Sequence, residues 1–147
     1  MAAAGAGMTT LAGWKEYAAF PELGAKRVRV KLDTGARTTA IGADRCVLVA
    51  RPDGGTDAKL TLVLNPRRPK RRLVVRVPVV GYITVRGTGG TPERRPLIET
   101  TIVLGCVTKR IRATIADRSQ MISRVILGRT TLGPEFAVDP SRKFLLS

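Results

Sequence analysis

Apolar and polar residues change places one by one along several stretches of this chain, and few windows carry the three-to-four spacing of an amphipathic helix. The clearest case is Lys26-Arg27-Val28-Arg29-Val30-Lys31-Leu32, where charged and apolar residues alternate strictly from Arg27. Successive side chains of a strand point to opposite faces, so this segment reads as a half-buried strand that ends on Asp33. Thr38-Thr39-Ala40-Ile41 predicts a second short strand. Residues 47–49 and 60–64 predict a hairpin around Asp53-Gly54-Gly55, a strong turn signal. Residues 73–85 read as a strand broken by Pro78 and Gly81, which makes it edge or bulged structure. The tip Gly87-Thr88-Gly89-Gly90 then returns into a strand over 95–104, and residues 109–115 alternate again. Near the C-terminus 121–127 is apolar, Thr130-Thr131-Leu132 predicts a short helix, and 136–139 with 143–146 predict a closing pair of strands across Pro140-Ser141. Residues 13–23 read either as a short amphipathic turn or as a strand ending at Pro21. Residues 1–12 are expected to be a flexible tail, leaving one domain over 13–147 without internal repeats.

Composition narrows the chemistry. The 147 residues suffice for one core but not for two pepsin-like lobes. Val, Ile and Thr dominate the ordered stretches, which favours an all-β domain. There is no histidine in the chain. That absence removes Ser-His-Asp and Cys-His nucleophiles and HExxH zinc proteases together. Cys46 and Cys106 are the only thiols and make a poor zinc site by themselves. They are expected to be free thiols in a reducing compartment, with Cys106 inert in an apolar strand. Met1-Ala2-Ala3-Ala4-Gly5-Ala6-Gly7 lacks the basic and apolar regions of a signal peptide, and no apolar run reaches membrane-spanning length. A cytoplasmic protein without membrane partners is expected. Its formal net charge is +15, and no acidic residue occurs between Asp57 and Glu93 while Arg67, Arg68, Lys70, Arg71, Arg72, Arg76 and Arg86 accumulate. Such a field attracts nucleic acid, the ribosome or acidic peptides; the plainer alternative is a solvated loop.

The strand that stops on Asp33-Thr34-Gly35-Ala36 is the sharpest chemical signal, because aspartic peptidases present their carboxylate where a strand ends on Asp-Thr-Gly. An ordinary turn uses the same residue types. A second feature, Ile126-Leu127-Gly128-Arg129 with Leu132 beyond it, resembles the apolar-apolar-Gly segment that passes behind the catalytic loop of retropepsins. Further blocks stand in the order of one family: Gly13-Trp14-Lys15-Glu16, Arg95-Pro96-Leu97-Ile98, Asp117-Arg118-Ser119-Gln120-Met121 and Val138-Asp139-Pro140. Over residues 13–146 the chain resembles the retropepsin-like aspartic peptidases named as ATP-dependent zinc proteases and encoded beside RimK-type glutamate ligases.

The resemblance implies a small closed retropepsin-type barrel with at most one or two short helices. It implies a half-site that forms a homodimer, since only one Asp-Thr-Gly is present. Asp33 would be catalytic and Thr34, Gly35 and Ala36 would form its loop, with Thr34 bracing the two loops. Ile126, Leu127, Gly128 and Arg129 would support the loop, and Gly87, Thr88, Gly89 and Gly90 would form the flap. Arg68, Lys70, Arg71 and Arg72 would steer an acidic peptide or protein substrate. The pattern departs from the family at Thr39-Ala40-Ile41-Gly42, where many members carry Ser-Ala-Leu-His. Without that His, and without a Walker A loop, neither zinc nor ATP is expected and no cofactor is assigned. Trp14 is expected as a core anchor, Asp117-Arg118 as a surface turn or ion pair, and Arg129 as an Asp-paired interface residue. Two non-catalytic alternatives stand beside the peptidase: a basic β-barrel module that binds RNA or the ribosome, and a degenerate dimeric scaffold. An aromatic content of 4% leaves few stacking platforms for single-stranded nucleic acid.

Overall fold

Val28, Val30 and Leu32 are buried while Arg27, Arg29 and Lys31 are exposed, so the strict alternation is the two faces of one strand with its apolar side on the core. In the computed structural model, which describes residues 8–86 and 90–146, this strand is β3 (Ala25–Leu32). It follows β1 (Thr10–Gly13), β2 (Lys15–Phe20) and a 3-10 turn at Pro21–Leu23. Gly24 closes that turn at φ 73°, a left-handed conformation that glycine adopts without a Cβ penalty. The remaining elements are β4 (Thr39–Gly42), β5 (Arg45–Ala50), β6 (Thr56–Leu62), β7 (Leu73–Pro78), β8 (Gly81–Arg86), β9 (Pro92–Leu104), β10 (Val107–Ala116), β11 (Val125–Leu127), a four-residue helix α1 (Arg129–Leu132) and β12 (Phe136–Asp139).

Hydrogen bonding runs in the order β10-β4-β11-β3-β2-β9, and β9 pairs back onto β10, so these strands close a barrel. Closure removes the free edges that an open sheet would expose. The interior is filled by Phe20, Ile41, Ile98, Ile102, Leu104, Val125 and Leu127, each at most 1% exposed. β8 extends the far side of β9 as a hairpin arm, and β5, β6 and β7 form a separate antiparallel sheet. That sheet contributes Ala58, Leu60, Leu62 and Val77 to the same core. The all-β barrel and its single short helix agree with the sequence expectation.

Four local expectations change. The tail gives way at Thr10, where β1 pairs in parallel with β12 through Thr10↔Phe136 to Gly13↔Asp139. Residues 143–146 are therefore not the partner of β12. They lie across the β1–β2 corner, with Trp14 N bonded to Arg142 O at 2.9 Å and Phe144 N to Lys15 O at 2.8 Å. The Glu16 carboxylate holds this corner together: fully buried, it accepts from Gly13 N at 2.7 Å, Leu145 N at 2.8 Å and Leu146 N at 3.2 Å. A buried charge persists only when it is satisfied in this way. Trp14 is half-buried between Lys15 and Lys143 rather than in the core. Cys106 sits exposed in the turn between β9 and β10, not within a strand, and both thiols are free. Among the described residues no helix is long and apolar enough to cross a membrane.

Candidate active site

Asp33 begins where β3 runs out. Its N–H donates to Leu127 O at 2.9 Å, so the last rung of the parallel β3–β11 pairing fixes the residue that follows the strand. Ala36 N then bonds Asp33 O at 3.1 Å and closes a tight turn over Asp33-Thr34-Gly35-Ala36. Gly35 N donates to Asp33 Oδ1 at 3.0 Å, which orients the carboxylate. A Cβ on Gly35 would stand 3.2 Å from that oxygen; the glycine is required for room beside the carboxylate rather than for a left-handed backbone. Asp33 and Ala36 are half-buried, and Thr34 and Gly35 are exposed.

The Ile126-Leu127-Gly128-Arg129 segment passes directly behind this turn. β11 lies parallel to β3 and antiparallel to β4, so it threads between the strands on either side of the loop. Beyond it, Arg129 N bonds Ala36 O at 2.9 Å and Thr130 N bonds Arg37 O at 3.0 Å. Gly128 is where the two chain segments touch: a Cβ there would fall 2.6 Å from the Thr38 carbonyl carbon and 2.7 Å from the Arg37 carbonyl. No rotamer change relieves a clash with backbone. Buried hydroxyls complete the interlock, with Gly128 N donating to Thr39 Oγ1 at 3.1 Å and Thr39 Oγ1 lying 2.5 Å from Thr131 Oγ1. The sequence placed the two motifs together but assigned no role to Thr39 or Thr131. Arg129 is not paired with an Asp among the described residues; its Nη1 donates to Thr34 O at 3.0 Å and ties α1 to the loop.

The flap expectation is met in part. β8 and β9 form an antiparallel hairpin from Gly81↔Leu97 to Arg86↔Pro92, with Gly90 exposed at φ 76°. Gly87, Thr88 and Gly89 lie outside the described residues. Arg68, Lys70, Arg71 and Arg72 are all exposed in the 63–72 connection, which is shaped by local bonds such as Arg67 N to Asn65 Oδ1 at 3.0 Å. Asp117-Arg118 is only half the surface turn expected. Asp117 is exposed and accepts from Ser119 N and Oγ, which holds its carboxyl below the usual range. Arg118, however, is half-buried, with Nε donating to Ser123 O at 2.9 Å and its side chain packed over Gly42. Burial lowers its pKa, the charge of Arg95 lowers it further, and the charge of Asp33 opposes both. Arg118 thus stands within electrostatic reach of the candidate catalytic carboxylate.

A zinc site does not fit these residues: the chain has no His, and among the described residues no group of three or more Cys, Asp or Glu is close enough to hold a metal ion. A shallow hollow walled by Asp44, Arg45, Leu48, Glu93, Arg94 and Asp117 lies away from Asp33 and is open to solvent.

The barrel, the strand-end Asp-Thr-Gly turn and the glycine segment threaded behind it define a retropepsin-like half-site. A family model described as RimB-like, the retropepsin-like aspartic endopeptidase RimB, matches residues 11–147, and the chain belongs to that family. Curated relatives include two proteins named as probable alpha-L-glutamate ligases. The one from Shewanella pealeana is 30% identical over 91% of this chain, and the one from Desulfotalea psychrophila is 31% identical over 88%. The chain spans only 29% and 28% of their lengths, so it resembles one portion of each. A solved structure of the Legionella pneumophila protein Lpg0085 shares the fold, with a TM-score of 0.76 at 22% identity over 94% of this chain and 98% of that one.

Proposed function

We propose that this protein is an aspartic endopeptidase in which Asp33 residues from two copies meet across a dimer axis and activate a water between them. The observation that carries this reading is the Asp33 turn itself: a half-buried carboxylate at a strand end, oriented by Gly35 N and locked from behind by the Gly128 segment. One copy supplies one such carboxylate, and Thr34 and Gly35 beside it are exposed, as an unpaired half-site requires. Met121 and Ile122 also lie exposed in the loop that follows Arg118, at 50% and 82%, and offer apolar surface to a second copy at that end.

Two carboxylates about 3 Å apart share one proton, because both cannot ionise cheaply at that distance. The ionised Asp33 takes a proton from the water as its oxygen bonds to the substrate carbonyl carbon, while the protonated Asp33 gives its proton to the carbonyl oxygen. Collapse of the tetrahedral species breaks the C–N bond, and the proton taken from water passes to the leaving amine. No covalent enzyme intermediate forms. The flap hairpin would fold over the peptide and exclude bulk water.

Acidic, glutamylated protein tails are the substrate class that fits best. The relatives named as glutamate ligases and the exposed cations of 67–72 both favour it, since a positive field raises the local concentration of an anionic tail. Incubation with peptides bearing a C-terminal run of glutamates, read by mass spectrometry, tests the proposal. Shortened products with the wild-type chain and none with Asp33→Asn support it. Intact peptide throughout, with tight binding of RNA or ribosomes instead, favours the non-enzymatic basic module.

A further inference from the structure

The flap hairpin has an apolar inner face with one exception. Along β8 the half-buried positions are Gly81, Ile83 and Val85, and their register partners on β9 are Leu97, Arg95 and Glu93. Tyr82 and Arg94 decorate the opposite face, where the guanidinium stacks 3.8 Å above the ring. Arg95 therefore points inward, its side chain 23% exposed, and its Nε is buried without a hydrogen-bond partner. Its contact with Glu93, Nη2 to Oε2 at 3.3 Å, is long and reaches a carboxylate that is 55% exposed, so it neutralises little.

Across the space beneath the hairpin stands Arg118. Nε of Arg118 is anchored to Ser123 O, and the side chain runs over Gly42 at the end of β4. It makes no ion pair among the described residues, yet it lies close enough to feel both Arg95 and Asp33. Two guanidiniums thus face one shielded region next to a single carboxylate. Buried like charges repel, and an unbonded guanidinium N–H in a partly dry site is costly. Both costs are relieved at once if a carboxylate enters, because guanidinium forks bind carboxylates in planar, charge-assisted geometry.

We propose that Arg95 and Arg118 form a carboxylate-binding subsite beside Asp33, which holds an acid group of the substrate under the flap. This deepens the peptidase reading and rests on it for the position of the scissile bond, but the subsite itself is a binding claim. It differs from long-range attraction by the 67–72 loop in requiring two particular residues. The carboxylate has two sources, an acidic side chain or a chain terminus.

The test uses the full chain carrying Asp33→Asn, so that bound peptide stays intact, and fluorescently labelled peptides in which Glu is replaced by Gln, each with a free or an amidated C-terminus. The background variant is expected to bind the Glu peptide at least tenfold more tightly than the Gln peptide. Adding Arg95→Gln or Arg118→Gln should reduce that preference below threefold, and Arg118→Lys should restore part of it. Because Arg118 also holds Ser123, thermal melting accompanies each variant; Arg95→Gln breaks no backbone contact and stands as the independent arm. A preference lost on amidation, rather than on Glu→Gln exchange, assigns the subsite to the chain terminus. Unchanged selectivity in both variants, or a preference removed only by neutralising the 67–72 loop, overturns the subsite. If the wild type cleaves none of the peptides while the Arg-dependent preference persists, the subsite stands and the peptidase reading falls. Cleavage without any such preference gives the reverse.

Discussion

The Asp33 loop and the 67–72 loop are both turns between strands, yet they are held in opposite ways. Asp33, Ala36 and Arg37 are each bonded to backbone of the 127–130 segment, nearly a hundred residues away in sequence, and Gly128 leaves no room between the two. Arg67 to Arg72 make only neighbouring bonds, Arg68 N to Asn65 O and Arg71 N to Arg68 O, and every side chain there is exposed. Their sheet is fastened by charge instead. Asp57 bridges Arg51 Nη1 at 2.7 Å and Arg76 Nε at 2.8 Å and so ties the β5–β6 turn to β7. Positioning a reactive carboxylate demands fixed geometry, because small displacements are costly to catalysis. A charged field needs only the presence of its charges, so the steering loop can be built loosely.

The largest effect should come from the interlock. Gly128→Ala forces a Cβ to within 2.6 Å of backbone that cannot yield, and destabilisation by about 3 kcal/mol or failure to fold is expected in urea titrations. Wild-type stability in that variant would show that the two segments are not in contact. A smaller effect should follow from the sheet. The hydrogen bond from Arg76, aided by Arg51 and opposed by burial, holds the Asp57 carboxyl below its usual range. A depressed pKa contributes stability that is full above about pH 4 and is lost as pH falls through the folded value. Asp57→Asn should therefore lower Tm at pH 7, with the gap to wild type narrowing as pH falls below about 4. A gap independent of pH would remove the electrostatic account. The smallest structural effect belongs to the loop: replacing Arg68, Lys70, Arg71 and Arg72 by Gln should change stability by less than about 0.5 kcal/mol. The same variant should raise KM for acidic peptides several-fold at low salt and hardly at all at high salt, because salt screens exposed charge. Equal loss on neutral peptides would contradict steering.

The alternation of 27–32 and the Asp33 and Gly128 motifs were legible because each is local: side-chain parity and short turn chemistry are written in consecutive residues. The β1–β12 pairing was not, since a parallel contact between the two ends of the domain leaves no neighbouring signal. Glu16 looked like an ordinary charge in an alternating strand; only the fold shows three backbone donors converging on it. Arg118 read as surface because Asp and Ser around it suit an exposed turn. Arg95 carried a usable hint: it shares parity with Leu97, so a strand that buries one turns the other inward.

The central claim is that two copies of Asp33 act together, and subunit mixing tests it most directly. Wild-type chain at fixed amount is allowed to exchange with an equal amount of Asp33→Asn chain, and hydrolysis of an acidic peptide is followed. If each site needs a carboxylate from both copies, random pairing leaves about half of the wild-type chains opposite an inactive partner, and activity falls to about half. Activity that stays unchanged as inactive chain is added would mean that a single copy cleaves alone, and the shared site would be wrong.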